Sequence, residues 1–314
     1  MALVGPTAVG KSDFAVALAE RHAGEIVCAD SRTIYRYLDI GTAKPAPDVR
    51  RRVPHHLLDL IDPDQPYSVA LFQRAATSTI EDILGRGRLP ILAGGTGLYV
   101  SAVLDGLALP AIPPDSGLRA RLEQRIRAEG LPAVAAELVQ LDPAAAQVVD
   151  LQNSRRVVRA LEVTLQSGRP FSAWRHRSPP PWDSLRIGLC LARDALYARI
   201  NRRVAQQVAE GLVDEVRGLL ARGYAPDAPG LHGLVYREFV RHVQRELSLE
   251  EALCLAQRAT RRYAKRQLTW FRADRAVRWF EATPEGLERA HATVDGWLHT
   301  GEAPIARCSE ALQQ

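Results

Sequence analysis

The sequence lacks the long apolar runs that mark membrane and secreted proteins. No stretch approaches the roughly 20 apolar residues that a helix needs to cross a bilayer. Residues 1–4 are apolar but lead directly into a glycine loop, without the basic start, longer apolar stretch and cleavage site of a signal peptide. We therefore expect a cytoplasmic protein with no membrane partner.

Cysteine is also sparse, and its positions do not suggest chemistry. The four cysteines are Cys28, Cys190, Cys254 and Cys308. No pair has the CxxC spacing that zinc sites and thioredoxin-type redox sites use. We expect them to be small, partly buried apolar residues in a reducing compartment.

Lysine is the scarcest basic residue. Among 41 basic residues only Lys11, Lys44 and Lys265 are lysine, and the rest are arginine. Because lysine is a compact point charge and arginine a bulky planar fork, our hypothesis is that these three positions need the smaller group. The formal net charge of +5 is compatible with a nucleic-acid partner but does not establish one.

The pattern of apolar residues predicts an α/β protein. Short apolar runs typical of buried strands occupy residues 2–4, 25–29, 89–93 and 185–191, and residues 12–22 have helical periodicity. Strands separated by helices imply a parallel sheet with helices on both faces. Within residues 116–164, Leu118, Leu122 and Ile126 are spaced for one helix face.

A second helix of that segment is predicted from Val157, Leu161 and Leu165. We interpret the segment as an all-helical insertion domain. The predicted organisation is a first core part at residues 1–112, the insertion at 113–184, and a second, mostly helical core part at 185–314.

Residues 5–12 match the phosphate-loop pattern GxxxxGK[ST], between a predicted strand and a predicted helix. Its glycines let backbone N–H groups surround a phosphate, Lys11 adds a positive charge, and Ser12 can bind Mg²⁺. The pattern predicts a P-loop NTPase-like sheet. The predicted diphosphate-binding residues are Gly5, Pro6, Thr7, Ala8, Val9, Gly10, Lys11 and Ser12.

The position of the acid differs from that in a kinase or GTPase. Strand 89–93 ends in Gly94-Gly95-Thr96 instead of a Walker-B aspartate. Strand 25–29 ends at Asp30, and the carboxyl ends of parallel strands face the ligand crevice. Asp30 alone is equally compatible with a turn or helix-cap aspartate.

Longer motifs resemble those of the tRNA dimethylallyltransferase (IPP transferase) family. The segments are GPTAVGKS at 5–12, ADSRTIYRYLDIGTAKP at 29–45, PHHLLDL at 54–60, AGGTGLY at 93–99, RRVVRALEV at 155–163, INRRV at 200–204 and AKRQLTWFR at 264–272. They follow the family's order over nearly the whole chain. One departure is Thr33, where the family usually has a glutamine expected to contact the target adenine.

The resemblance implies a transfer reaction. A dimethylallyl group would move from dimethylallyl diphosphate to N6 of the adenosine 3′ of the tRNA anticodon, position 37, with release of diphosphate and with Mg²⁺ as cofactor. Asp30 is then the expected general base. Thr7 and Arg203 are the expected catalytic partners that stabilise the leaving diphosphate. We expect a monomer.

The resemblance also implies a tRNA-binding surface that includes the insertion. The expected tRNA-binding residues are Asp30, Ser31, Arg32, Thr33, Thr96, Arg119, Arg155, Arg156 and Arg159. Arg155, Arg156 and Arg159 fall near one helix face, as phosphate contacts require, although such a cluster is equally typical of a solvated face. Lys265, Arg266 and Gln267 suit RNA or the core, and we expect Trp270 and Phe271 to lie in the core.

Three alternatives remain open at the level of sequence. A P-loop small-molecule kinase shares the loop but leaves DIGTAKP and GGTGLY unexplained. A prenyltransferase acting on free adenine nucleotide has no need of an arginine-rich insertion. A non-catalytic RNA-binding module has no need of Lys11, Ser12 and Asp30.

Overall fold

The computed structural model describes residues 1–110, 112–174 and 176–300, so Cys308 lies outside the described residues. It divides into two compact units. The first consists of Met1–Val100 and the described residues from Pro181 onward, and the second is Ser101–Pro180. The second unit therefore begins before residue 113, the boundary expected from sequence, and ends before residue 184.

The first unit is built on a parallel sheet. Within the described residues its six strands are β1 (Ala2–Val4), β2 (Gly24–Cys28), β3 (His55–His56), β4 (Leu89–Gly94), β5 (Arg186–Cys190) and β6 (Val277–Glu281). The strand order is β3-β2-β4-β1-β5-β6, and every neighbouring pair is parallel. The four predicted strands are confirmed to within two residues at each end, whereas β3 and β6 were not predicted.

Helices cover this sheet and form a second core beside it. In the described part of the first unit they are α1 (Lys11–Arg21), α2 (Pro47–Arg52), α3 (Val69–Gly85), α4 (Gly97–Leu104, which crosses the unit boundary), α9 (Arg193–Ala209), α10 (Leu212–Ala221), α11 (Leu234–Val243), α12 (Leu249–Arg272) and α13 (Pro284–Thr300). The helix predicted from residues 12–22 is confirmed as α1, which buries Phe14, Ala15, Leu18 and Ala19 against the sheet. None of the described helices has both the length and the apolar character needed to span a bilayer.

The second unit has a hydrophobic core of its own. Its helices are α5 (Ser116–Glu129), α6 (Leu131–Leu141), α7 (Ala145–Val148) and α8 (Ser154–Ser167), followed by a 3-10 turn at Phe171–Trp174. Leu122, Leu138, Val157 and Leu161 are buried together there. Leu165, predicted to share their face, is 45% exposed. That prediction was wrong because α8 buries Val163 and Thr164 near its end instead, which leaves position 165 outside the core.

The two aromatic residues near the end of α12 have different surroundings. Phe271 is buried, as predicted. Trp270 was expected in the core, but it is 42% exposed. The prediction failed because the buried positions of α12 follow the row Ala256, Thr260, Ala264, Gln267 and Phe271, which leaves position 270 outside the core.

Candidate active site

The phosphate loop joins β1 to α1 in a conformation that presents its amides to a ligand. Gly5, Ala8 and Gly10 all have positive φ, at 141°, 65° and 105°. A Cβ on Gly5 would lie 2.5 Å from the carbonyl oxygen of Leu189, so only glycine fits there. Left-handed residues in such a turn direct successive N–H groups to one side, which creates an anion-binding concavity.

One pocket of the first unit collects most of the predicted chemistry. It is lined by the phosphate loop, the end of β2, the end of β4, and helices α9 and α12. The lining residues that the sequence predicted for the site are Thr7, Ala8, Lys11, Ser12, Asp30, Arg32, Thr33 and Arg203. Gly94 and Gly95 also line it, whereas Gly5, Pro6, Val9 and Gly10 of the loop are not among its lining residues.

Asp30 is half-buried at the carboxyl end of β2, with one oxygen engaged. Its Oδ1 accepts a hydrogen bond of 2.8 Å from the backbone N–H of Arg32. For Oδ2, the described part of the chain offers no hydrogen-bond donor. The arrangement fixes the side chain and leaves one carboxylate oxygen free to take a proton.

The ends of β2 and β4 are tied together beside Asp30. The N–H of Ser31 donates to Thr96 Oγ1 over 3.0 Å, and the N–H of Thr96 donates to the carbonyl of Ala29 over 3.1 Å. Gly94 allows this close approach, because a Cβ there would lie 2.1 Å from the Ala29 carbonyl oxygen. Thr96 therefore holds the acid-bearing turn in position from the neighbouring strand.

Thr33 stands in the same pocket with a hydroxyl that lacks a partner. Its side chain is 8% exposed, and among the described residues Oγ1 meets no donor or acceptor. A buried hydroxyl without a hydrogen bond costs free energy, so this group is suited to bond with a ligand or water.

Burial lowers the pKa of the two basic groups nearest Asp30 in the pocket, Lys11 and Arg203. Desolvation lowers the pKa of Lys11 to about 7, with a further lowering from Arg203 that Asp30 partly opposes. The Lys11 ammonium donates to the carbonyl of Pro6 over 2.7 Å. Burial also lowers the pKa of Arg203, although an arginine stays protonated in proteins. A bound polyanion would stabilise both charges, which are otherwise poorly solvated.

Two neutral groups complete the wall around Asp30. Burial, reinforced by Asp30, raises the pKa of the Tyr263 phenol to about 12. The same two causes raise the pKa of the Cys28 thiol to about 12. Cys28 is therefore an uncharged thiol, in line with the expectation that it has no chemical role.

The segment after Asp30 is held by a buried lysine. Lys44 is 1% exposed, and its ammonium donates to the carbonyl of Tyr35 over 2.6 Å and to Asp59 over 2.5 Å. It also contacts Asp39 at 2.8 Å. A buried ammonium is costly unless it is hydrogen-bonded, and here three oxygens bind it. These bonds hold the segment that follows Asp30 in one conformation.

A carboxylate supports the same segment from α10. Glu215 accepts hydrogen bonds from the N–H groups of Asp39 and Ile40, each over 2.8 Å, and from the Tyr236 hydroxyl over 2.6 Å. The contacts of Lys44 and Glu215 thus give much of the DIGTAKP motif a structural role, and neither set of contacts was predicted.

In the second unit, two of the predicted arginines converge on one acid. Arg119 and Arg159 pair with the fully buried Glu162 at 2.9 Å and 2.6 Å. Burial alone would raise the pKa of Glu162, but hydrogen bonds from these arginines lower it overall. Arg155 and Arg156 are exposed, and Arg156 lies 3.6 Å from Asp150.

The sequence matches the family described as IPP transferase over residues 33–274. The chain belongs to the IPP transferase family. A tRNA dimethylallyltransferase of Thermomicrobium roseum is 51% identical over 91% of this chain and 87% of its own. A tRNA dimethylallyltransferase of Geobacter sulfurreducens is 49% identical over 88% of this chain and 90% of its own.

Solved structures agree with this assignment. The tRNA isopentenylpyrophosphate transferase of Bacillus halodurans is 43% identical, with a TM-score of 0.71 over 95% of this chain and 96% of its own. A eukaryotic dimethylallyltransferase acting on tRNA is 23% identical, with a TM-score of 0.82 over 99% of this chain and 82% of its own, which shows a shared fold. The predicted P-loop NTPase-like sheet flanked by helices is thereby confirmed.

Gln267, which the sequence suited to RNA or the core, has a bridging role in this IPP transferase site that was not predicted. It is buried, its Oε1 accepts from the N–H of Thr7 over 2.8 Å, and its Nε2 donates to the carbonyl of Gly95 over 2.9 Å. One amide thus joins the phosphate loop to the β4 loop. The sequence signal was its place in the segment AKRQLTWFR, which does not by itself indicate this bridge.

Proposed function

We propose that this chain transfers the dimethylallyl group of dimethylallyl diphosphate to N6 of adenosine 37 of tRNA in the cytoplasm and releases diphosphate. The observation that carries the proposal is that a phosphate loop, two half-buried positive charges and a carboxylate with one unbonded oxygen line one pocket of an IPP transferase. Relatives about half identical over most of their length are named tRNA dimethylallyltransferase.

The leaving group explains the phosphate loop. As the bond between C1 of the prenyl group and the diphosphate oxygen breaks, negative charge grows on that oxygen. Loop amides, Lys11 and Arg203 are suited to stabilise it. Thr7 also lines the pocket, and its backbone N–H is held by Gln267. One such donor typically contributes about 10²–10³ in rate.

A magnesium ion fits the donor set around the loop. Ser12 offers an exposed hydroxyl at the start of α1, and the diphosphate would supply further oxygens. The described residues hold no cluster of three His, Cys, Asp or Glu side chains, but Mg²⁺ commonly takes few protein ligands beside phosphate oxygens and waters. When bound there, the ion supplies charge neutralisation to the diphosphate.

Asp30 is suited to be the general base. The N6 lone pair of adenosine is delocalised into the ring, so N6 becomes a useful nucleophile only as it loses a proton. In the proposed step N6 forms a bond to C1, the C1–O bond breaks, and the N6 proton passes to the free oxygen of Asp30. General base catalysis of this kind contributes about 10²–10⁴.

The target adenosine must leave its stack to reach this carboxylate. Ser31, Arg32, Thr33 and Thr96 surround the acid and are the proposed contacts to the base and its neighbours, with Thr33 offering its unpartnered hydroxyl. For the insertion, Arg119, Arg155, Arg156 and Arg159 are proposed as phosphate contacts along the anticodon stem. Glu162 would orient the two that it binds.

The test is incubation of the purified protein with radiolabelled dimethylallyl diphosphate, Mg²⁺ and either unmodified tRNA or AMP. We expect label in tRNA and none in AMP. Label in AMP instead would identify a nucleotide prenyltransferase. Absence of label in both, together with turnover of ATP in the presence of small acceptors, would contradict the proposal and indicate a P-loop small-molecule kinase instead.

A further inference from the structure

Helix α9 carries a second arginine beside the pocket. Arg199 lies one helical turn before Arg203, so the two side chains share one face of the helix. Arg203 lines the pocket, whereas Arg199 lies outside the lining. Arg199 is half-buried, and its guanidinium donates to the carbonyl oxygen of Val9 in the phosphate loop over 3.3 Å. Arg199 therefore contacts the loop from outside the surface that faces the pocket.

The placement of Arg199 beside Arg203 is electrostatically unfavourable without a ligand. Two like charges four residues apart destabilise a helix. In the described part of the chain no carboxylate forms an ion pair with either arginine. Two cations without an acidic partner create a positive potential that favours a bound anion, and the phosphate loop is the anion site beside them.

The contact with Val9 fixes the orientation of one peptide unit of the loop. The peptide between Val9 and Gly10 is trans and planar, so its C=O and its N–H point in opposite directions. With the carbonyl held by Arg199, the N–H of Gly10 points away from that arginine, and among the described residues it has no acceptor. Gly10 is the N-cap of α1 and has no side chain to cap the helix. The N–H groups at the start of α1 are therefore available to a phosphate.

We propose that Arg199 is a positioning residue for donor binding, which keeps the Gly10 N–H turned toward the diphosphate and adds a positive charge on the far side of the loop. The inference rests on the proposed function and deepens it. A hydrogen bond from a cation polarises the Val9 carbonyl, which makes the N–H of the same peptide a stronger donor. Arg199 thereby acts through the peptide between Val9 and Gly10 and does not touch the substrate itself.

Binding of inorganic pyrophosphate in the presence of Mg²⁺ tests this role without tRNA and without turnover. R199M removes the charge at similar side-chain length, R199K keeps a charge, and R202M removes a charge from an exposed position of the same helix. We expect R199M to raise the Kd for pyrophosphate about tenfold, as the loss of one charge-assisted hydrogen bond does. R199K should recover most of the affinity, and R202M should bind pyrophosphate as the unaltered protein does.

Steady-state kinetics separate this role from simple support of the fold. We expect R199M to raise the KM for dimethylallyl diphosphate by a similar factor and to change kcat less, because the Gly10 N–H binds the diphosphate both before and during the transfer. The KM for tRNA should stay unchanged. Thermal unfolding of each variant without ligand shows that the fold is retained, and R199Q takes the place of R199M where it is not.

Equal pyrophosphate affinity of R199M and the unaltered protein would overturn the proposal, as would an equal loss of affinity in R202M. An R199K variant that binds as weakly as R199M would assign the effect to packing and overturn it as well. A failure of the proposed function has a different signature, because the unaltered protein would then bind pyrophosphate but place no label in tRNA.

Discussion

At the scale of single residues, the three lysines differ in how closely other atoms surround their ammonium groups. Lys44 is enclosed by three oxygens, and Lys11 bonds back to its own loop inside the pocket. Lys265 is exposed on α12, and nothing in its surroundings requires the smaller cation. These contacts support the hypothesis drawn from the scarcity of lysine at Lys44 and Lys11, and the exposure of Lys265 gives it no support at the third position.

Substitution by arginine separates these cases. Lys44→Arg forces a larger planar group into a filled site, so we expect a loss of about 1–3 kcal/mol in the free energy of unfolding. Lys265→Arg is the matched control and should change it by less than about 0.5 kcal/mol. Chemical denaturation measures both, and equal stability of the two variants would contradict the role assigned to Lys44.

The lowered pKa of Lys11 gives donor binding a pH dependence. The pKa of Lys11 in the free protein is lowered to about 7. At lower pH Lys11 is charged, and at higher pH its amine is neutral and attracts the diphosphate less. We expect kcat/KM for dimethylallyl diphosphate to fall as the pH rises above about 7, since kcat/KM reports the free enzyme. The profile of kcat should be flatter, because bound diphosphate stabilises the charged form.

Lys11→Arg provides the comparison. Its guanidinium stays charged, so its kcat/KM should lose the alkaline decline even if its rate is lower throughout. A decline of equal steepness in both proteins would assign the titration to another group.

At the scale of elements, the close approach of β4 to the Asp30 turn is the sensitive point. In Gly94→Ala the new Cβ would lie 2.1 Å from the Ala29 carbonyl oxygen, so the turn must move. Displacement of a catalytic group by about 1 Å costs roughly 10²-fold in rate. We expect a decrease in kcat of that order, measured with saturating tRNA and donor.

Gly218 on α10 is the matched control for this substitution. A Cβ there meets nothing within 4 Å, and the residue lies inside a helix. Gly218→Ala should therefore raise the free energy of unfolding by about 0.5–1 kcal/mol and leave kcat unchanged. Equal activity of the two variants would show that the β2–β4 contact does not position Asp30.

The sequence predicted those elements whose signal is local. The strands β1, β2, β4 and β5 are short apolar runs, and the phosphate loop is a contiguous motif, so both could be identified from neighbouring residues. The strand β3 has two histidines, and β6 contains Arg278 and Trp279, so neither has the apolar run of a buried strand. Their pairing is decided by tertiary contacts.

The candidate active site also contains contacts that the sequence alone could not predict. Thr7 and Gln267 are joined by a hydrogen bond across 260 positions of sequence, and Ile40 is capped by Glu215 across 175. No periodicity connects such residues, because only the folded sheet and its helices bring them together. The resemblance to a family supplied roles for Asp30 and Arg203, but the residues that position them required the structure.

At the scale of the whole molecule, each compact unit has its own hydrophobic core, so damage to one should remain local. Leu138 is fully buried in the core of Ser101–Pro180. Leu138→Ala should destabilise that unit by about 2–5 kcal/mol. Hydrogen exchange should accelerate within residues 101–180, while protection of β1, β4 and α1 and binding of dimethylallyl diphosphate stay unchanged. Equal loss of protection in both units would contradict this separation.

The most direct measurement is the rate at which N6-dimethylallyladenosine forms in tRNA in a single turnover, followed by mass spectrometry of the nucleosides, for the unaltered protein and Asp30→Asn. The asparagine can keep the hydrogen bond from the Arg32 N–H but cannot take a proton at neutral pH. We expect modified adenosine from the unaltered protein and a rate about 10²–10⁴ lower in the variant, with unchanged binding of the donor. Equal rates would contradict the role of Asp30, and the absence of modified adenosine from the unaltered protein would contradict the proposed reaction.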